Sequence, residues 1–337
     1  MLGLDEVNRV DKARLWSAYQ RWPDLAKRAL SQKLELPDVQ SPTSIILAGM
    51  GGSGAACDVV ADWLSVNSSL PSSVVKDYHL PGHVGKGSLV VVVSLSGETK
   101  EMVSILQEGV SRGCAVVALS SGGVLETLCK RLGVPHNRVE REMVPRASLP
   151  GMVFVALRVL QELGLVKCQK DLDEASRSLG RLASEVAPGV RFRDNKAKKL
   201  AKILHGKRVV VYSSSYSESV GHHFKASMNE NAKVPVDSGC YPEIFHNEIE
   251  TWRSAGGRAV VLLRHSDEDQ NVARKLVRAK EVLADASIPV VEVREEGGLL
   301  SSLLDWCLFL DMVSIYVAVL RNIPPISTPL LDKTRTV

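Results

Sequence analysis

Aromatic residues make up only 5% of this chain, so it is poor in the stacking platforms from which single-stranded nucleic-acid grooves are built. Neither sign of charge dominates: 42 Lys and Arg against 38 Asp and Glu leave a net charge of +4, and the nearest thing to a basic cluster is RFRDNKAKK at 191–199. No nucleic-acid partner is expected, whereas a small anionic substrate suits so mild a positive balance. The six cysteines, at 57, 114, 129, 168, 240 and 307, form no CxxC pair and have no ligand-like spacing with histidine. Reduced core thiols and no metal site are the expectation. No stretch is read as approaching the roughly 20 apolar residues of a membrane span. The opening segment MLGLDEVNRVDKARL carries acidic residues early and no apolar run, unlike a secretory signal. These absences point to a cytoplasmic enzyme or regulator.

What is present is an ordinary globular balance, 45% hydrophobic and 24% charged over 337 residues, enough for two domains. Val7, Val10, Leu15, Tyr19, Trp22, Leu25 and Leu30 recur at helical spacing, which predicts an N-terminal arm of one or two helices interrupted near Pro23. From Ser44 the pattern becomes strand, turn and helix: SIILAGM, GGSG and AACDVVADWLSV, then SSVVKDYHL, then LVVVVSLSGET at 89–99. Four consecutive valines with no polar residue between them mark a parallel strand covered on both faces. Strands and helices alternate up to a closing helix LPGMVFVALRVLQELGL, as in a doubly wound parallel sheet. After a charged helical stretch broken at Pro188-Gly189, the pattern restarts with KRVVVYSSS and GRAVVLLRH, and ends in the apolar helix SLLDWCLFLDMVSIYVAVLRN.

The halves match in order, ILAGMGGSG with VVVYSSSYS and VVVSLSGET with VVLLRHSDE. This weak internal repeat predicts an α/β chain of two doubly wound parallel-sheet (αβα) subdomains around a shared cleft. The expected organisation is a helical arm at 1–40, a first domain at 41–165, a helical connection at 166–206, a second domain at 207–322 and a tail at 323–337.

Ser94, Ser96 and Thr99 crowd the carboxyl end of the valine strand, and Ser53 sits in the glycine turn GMGGSGAA after the first strand. Open α/β sheets bind ligands there, and the first amides of the following helices favour an anion. One helix cap would account for one of these hydroxyls, not four. The glycine turn lacks the Lys-Ser/Thr of a nucleotide-binding P-loop, so a monophosphate is the better fit. Glu98 would repel a phosphate unless it points to solvent. In the second half Glu230 lies at a helix C-terminus, where the dipole opposes it, and His222 and His223 read as packing or solvent-facing residues.

These motifs resemble the sugar isomerase (SIS) domain family, in which Ser-x-Ser-Gly-x-Thr binds the phosphate of a phosphosugar. The family's usual Asn before the threonine is here Glu98. GMGGSG, SLSGET, VPRAS at 144–148, NENAKVP at 229–235, FHNEIE at 245–250 and the C-terminal TPLLDKTR are similar to the bifunctional phosphoglucose/phosphomannose isomerases of that superfamily. The resemblance implies that Ser53, Ser94, Ser96 and Thr99 hold the 6-phosphate, with Gly51 and Gly52 also binding substrate. It makes Glu230 the base that moves a proton between carbons 1 and 2, places Arg146 where it stabilises the developing charge, and gives ring opening to His246 and Lys333.

The same resemblance implies a cytoplasmic homodimer of glycolysis and gluconeogenesis that needs no cofactor or metal, and leaves open whether His246 acts within its own subunit or across the dimer. The rival reading is a non-catalytic SIS-domain sensor that binds a phosphosugar and needs none of Glu230, His246 or Lys333.

Overall fold

The computed structural model describes residues 2–254 and 256–335. It divides into two compact units, one of residues 21–177 and one of residues 1–20 with 178–337. The N-terminal arm forms three helices, α1 (Leu4–Val10), α2 (Leu15–Gln20) and α3 (Trp22–Ser31), with Pro23 in the first turn of α3. The arm is thus no unit of its own. Val7, Leu15 and Tyr19 are fully buried, with α1 and α2 packed on the long helix near the C-terminus, whereas α3 packs on the helix at 149–162. The expected connection at 166–206 divides likewise, at Arg177 and Ser178.

The unit of residues 21–177 continues with β1 (Ser44–Gly49), α4 (Gly51–Asn67), β2 (Ser72–Val75), β3 (Ser88–Val93), α5 (Lys100–Ser111), β4 (Ala115–Ser120), α6 (Gly123–Leu132), β5 (His136–Arg138) and α7 (Leu149–Glu162). Its strands are all parallel, in the order β2-β1-β3-β4-β5. Every residue of β3 is buried, as its unbroken valines require of a strand covered on both faces. Ile46, Ala48, Val90, Val92, Val116 and Ala118 pack with Met102, Ile105 and Leu106 of α5 and Leu125 of α6. Alternate residues such as Ile45 and Leu47 face the opposite side, where α4 and α7 pack together. Strand order reverses between β1 and β3, so the turns after these two strands flank the switch point.

The other unit holds the end of α8 (Gln169–Glu185), then α9 (Lys196–Leu204), β6 (Arg208–Ser214), α10 (Glu218–Ser227), β7 (Val236–Tyr241), β8 (Arg258–His265), α11 (Gln270–Asp285), β9 (Val290–Glu295), α12 (Leu299–Leu320) and α13 (Pro329–Arg335). Its parallel sheet runs β7-β6-β8-β9. The strands paired by the internal repeat, β1 with β6 and β3 with β8, are the central neighbours of their sheets. One face packs Tyr212, Val260 and Leu262 against Trp252, Leu276 and Leu283. α12 lies among α1, α2, α9, α10 and β9.

α12 corrects one expectation: at 22 residues and a mean hydropathy of 2.0 it is long and apolar enough to cross a membrane. In the fold 94% of the 18-residue window that gives this hydropathy is buried against protein. Among the described residues no disulfide joins the cysteines, and Cys57, Cys129, Cys168 and Cys307 are buried. Burial pushes the Cys129 thiol up to about 11, which keeps it protonated and unreactive.

Candidate functional site

The two turns at the first switch point are tied together before any ligand arrives. Ser53 lies in the first turn of α4 and is 5% exposed; its Oγ accepts the Leu95 amide at 3.0 Å. Because this hydroxyl accepts from protein, its own proton remains to be donated. Ser94 Oγ donates to Thr99 Oγ1 at 3.0 Å, which leaves the Thr99 proton available in the same way. Ser96 Oγ accepts the Glu98 amide at 3.2 Å. Ser94 therefore stands behind Thr99 and orients it, while Ser53, Ser96 and Thr99 have protons for an anion. Gly97 makes the turn possible: its φ is +71°, and a Cβ there would lie 1.8 Å from the Gly122 carbonyl oxygen.

Glu98 is exposed, and its Oε1 accepts the Val124 amide at 3.1 Å. The carboxylate serves the first turn of α6, where an unsatisfied N–H and the helix dipole favour it. It takes the anion's role at a neighbouring helix, which is how a carboxylate is tolerated in this motif.

Arg146 joins the same unit through Gly52. A Cβ on Gly52 would come within 2.8 Å of the Arg146 backbone nitrogen, so the glycine turn and the Pro145–Ser148 turn are in close contact. Arg146 is 6% exposed. Its turn is pinned on both sides: Trp22 Nε1 donates to the Ala147 carbonyl at 2.8 Å, and Ser148 Oγ accepts the Glu142 amide at 2.8 Å. Glu142 in turn pairs with Arg21. A separate cavity of about 600 Å³ opens in this unit between Leu25, Arg28, Ser121, Arg138 and Arg141. None of the sequence-predicted site residues is among those lining it.

In the other unit α10 runs into a π-turn at Met228–Ala232, which ends at Lys233 in the left-handed region with φ +56°. Glu230 sits in this wide turn, half-buried, and its carbonyl accepts from Lys233 Nζ. Such turns recur at functional sites. His246 closes a short 3-10 segment, Glu243–His246, and is exposed. Lys333 lies in α13 and is exposed. The structure thus gathers Ser53, Ser94, Ser96, Thr99, Gly52 and Arg146 in one unit and places Glu230, His246 and Lys333 on three elements of the other.

Sequence reasoning missed the groups behind Glu230. His223 is buried, and its Nε2 lies 3.0 Å from Asp311 Oδ2, while its neighbour His222 is exposed. A signal existed: Asp305 and Asp311 are the only charges in the apolar run 299–320, and a buried charge calls for a partner.

Two parallel αβα sheets, one with an anion-suited turn at its switch point, make a double α/β scaffold fit for an anionic ligand. The SIS domain family matches residues 39–127, and the bacterial phospho-glucose isomerase C-terminal SIS domain matches residues 193–337. The glucose-6-phosphate isomerase like protein of Thermus thermophilus has the same fold, with a TM-score of 0.65 at 18% identity over 99% of this chain and 98% of its own. So does the C-terminal domain of glucosamine-fructose-6-phosphate aminotransferase from Francisella tularensis, with a TM-score of 0.68 at 13% identity over 90% of this chain and 95% of that one.

Over most of its length the chain is similar to bifunctional phosphoglucose/phosphomannose isomerases. The Aquifex aeolicus member is 29% identical, with 93% of each chain covered. The Pyrobaculum aerophilum member is also 29% identical, with 88% of each covered. A D-glucosamine-6-phosphate 4-epimerase of Sulfolobus acidocaldarius is 26% identical over 78% of this chain and 81% of its own.

Proposed function

We propose that this protein interconverts glucose 6-phosphate or mannose 6-phosphate and fructose 6-phosphate through a cis-enediol. The observation that carries the reading is the hydroxyl cradle: Ser53, Ser96 and Thr99, each with a donor proton, stand beside the helix N-termini of α4 and α5, with Arg146 packed against Gly52. Neutral donors suit a phosphate that must bind and leave in each turnover.

The 6-phosphate is held by the cradle, with Gly51 and Gly52 offering backbone. Arg146 stabilises charge on the enediolate oxygens. Glu230 takes the proton from carbon 2 and delivers it to carbon 1, as a carboxylate base can. His246, from its own or a partner subunit, and Lys333 move the protons that open the ring. One planar enediol is reached from either carbon-2 epimer, so both aldose phosphates need only a pocket tolerant at that carbon. No step calls for a redox cofactor or a metal ion. The reading extends to a cytoplasmic homodimer in glycolysis and gluconeogenesis, which rests on the family resemblance.

A coupled assay for fructose 6-phosphate formation tests it, run separately with glucose 6-phosphate and mannose 6-phosphate. Product from both supports the isomerase. A flat trace with both, alongside thermal stabilisation by the same sugars, gives the sensor instead.

A further inference from the structure

The face of α10 and its π-turn that packs on α12 is polar where a core is ordinarily apolar. His223, Ser227 and Asn231 recur every fourth residue, which aligns them along one face, and they are 3%, 1% and 0% exposed. Across from them, α12 presents Asp311 and Ser314, both fully buried. His223 Nε2 lies 3.0 Å from Asp311 Oδ2, and Ser227 Oγ donates to Asp311 Oδ1. Asn231 Nδ2 donates to Ser314 Oγ at 2.8 Å and to Tyr19 Oη of α2 at 3.2 Å. Ser314 Oγ in turn donates to the Asp311 carbonyl at 2.6 Å.

Stability alone does not account for such a seam, because apolar side chains of similar volume serve a helix contact as well or better. A hydrogen-bonded seam does something apolar packing does poorly: it permits one register and one rotation of one helix against another. The wide π-turn keeps Asn231 on the same face as Ser227, so the turn and the seam require each other. Glu230 is the residue before Asn231. Its backbone is held from one side by the Asn231 anchor and from the other by Lys233 Nζ on its carbonyl.

We propose that the buried seam of His223, Ser227, Asn231, Asp311 and Ser314 is the device that positions Glu230 for proton transfer, with Asn231 and Asp311 as its principal positioning residues. The proposal rests on the reading of Glu230 as the base. A base that serves two adjacent carbons must hold its place closely, since a displacement of about 1 Å can lower turnover about 100-fold.

The test compares full-length Asn231→Leu, Asp311→Leu, Asp311→Asn and the milder Ser314→Ala with Glu230→Gln. Each is assayed for kcat and KM, for the primary isotope effect with glucose 6-phosphate deuterated at carbon 2, and for thermal unfolding. Asn231→Leu and Asp311→Leu are expected to lower kcat about 10- to 100-fold per folded molecule, with KM within about 2-fold and a larger isotope effect. Asp311→Asn keeps two hydrogen-bonding groups and is expected to restore most of kcat. Ser314→Ala, which removes one link, is expected to show the isotope-effect rise with the smallest loss.

Turnover that falls only with the folded fraction, at an unchanged isotope effect across the series, overturns the seam as a positioning device. So does an unchanged kcat in folded Asn231→Leu. Wild-type turnover in Glu230→Gln overturns the base reading itself, so the two failures are distinct.

Discussion

The strands β1 and β3 of one sheet and β6 and β8 of the other are topological counterparts, yet their carboxyl ends differ. After β1 and β3 stand glycines and hydroxyls with protons to donate. After β6, Ser214 and Ser217 are buried and bond to one another at 2.8 Å, and Glu218 occupies the first turn of the next helix. After β8, the His265 ring lies 6.4 Å from that of Tyr216 and 6.2 Å from that of Trp306, while Arg264 pairs with Glu268. One switch point offers hydroxyl donors suited to an anion; the other is filled with rings and its own ion pair. The filled sheet carries Glu230, the proposed base, one helix after β6, on the π-turn. On the proposed reading, a repeated scaffold divides the work between grip and chemistry.

The largest effect that sharpens this contrast is at the base. Glu230→Gln is expected to lower kcat at least about 100-fold with little change in KM for glucose 6-phosphate, read by steady-state kinetics. Next comes a matched pair of hydroxyl deletions. Thr99→Val removes a donor to a dianion, worth about 1.5–3 kcal/mol, and is expected to raise KM about 10-fold or more. Ser217→Ala, at the counterpart turn, is expected to leave KM unchanged. Equal effects in the two variants would break the comparison.

A third prediction uses pH. Burial first, and the nearby Asp305 second, push the Glu295 carboxyl from its ordinary 4.5 up to about 7. With the folded value raised, its relative contribution to stability is fully present below pH 4.5 and is lost as pH rises through about 7. Glu295→Gln is therefore expected to gain about 1–3 kcal/mol on wild type between acidic and mildly alkaline buffer. Thermal melts across that range measure it; parallel pH profiles for the two proteins would contradict it. The smallest effect concerns Glu98. Removing its bond to α6 in Glu98→Ala is expected to lower stability by about 1 kcal/mol with an unchanged KM. A clear drop in KM would mean that the carboxylate repels phosphate after all.

Much of the fold was legible because buried parallel strands and glycine turns are local patterns. The four valines of β3, the repeat of β1 with β6, and the hydroxyl cluster at Ser94, Ser96 and Thr99 could be read directly. The partition of the N-terminal helices was not legible, since Tyr19 and Trp22 are both fully buried and a helical stripe does not name the surface that covers it. Glu98 was readable as an anomaly but not as a cap of α6, because its partner Val124 lies 26 residues on. The seam behind Glu230 was hidden for the same reason: His223 and Asp311 are 88 residues apart, and neither makes sense without the other.

The division between grip and chemistry is tested most directly by titrating fructose 6-phosphate into Glu230→Gln by calorimetry and measuring turnover of the same preparation. Affinity within about 3-fold of wild type together with turnover reduced at least about 100-fold is the expected result. Loss of binding in step with loss of turnover, or turnover retained, would contradict it.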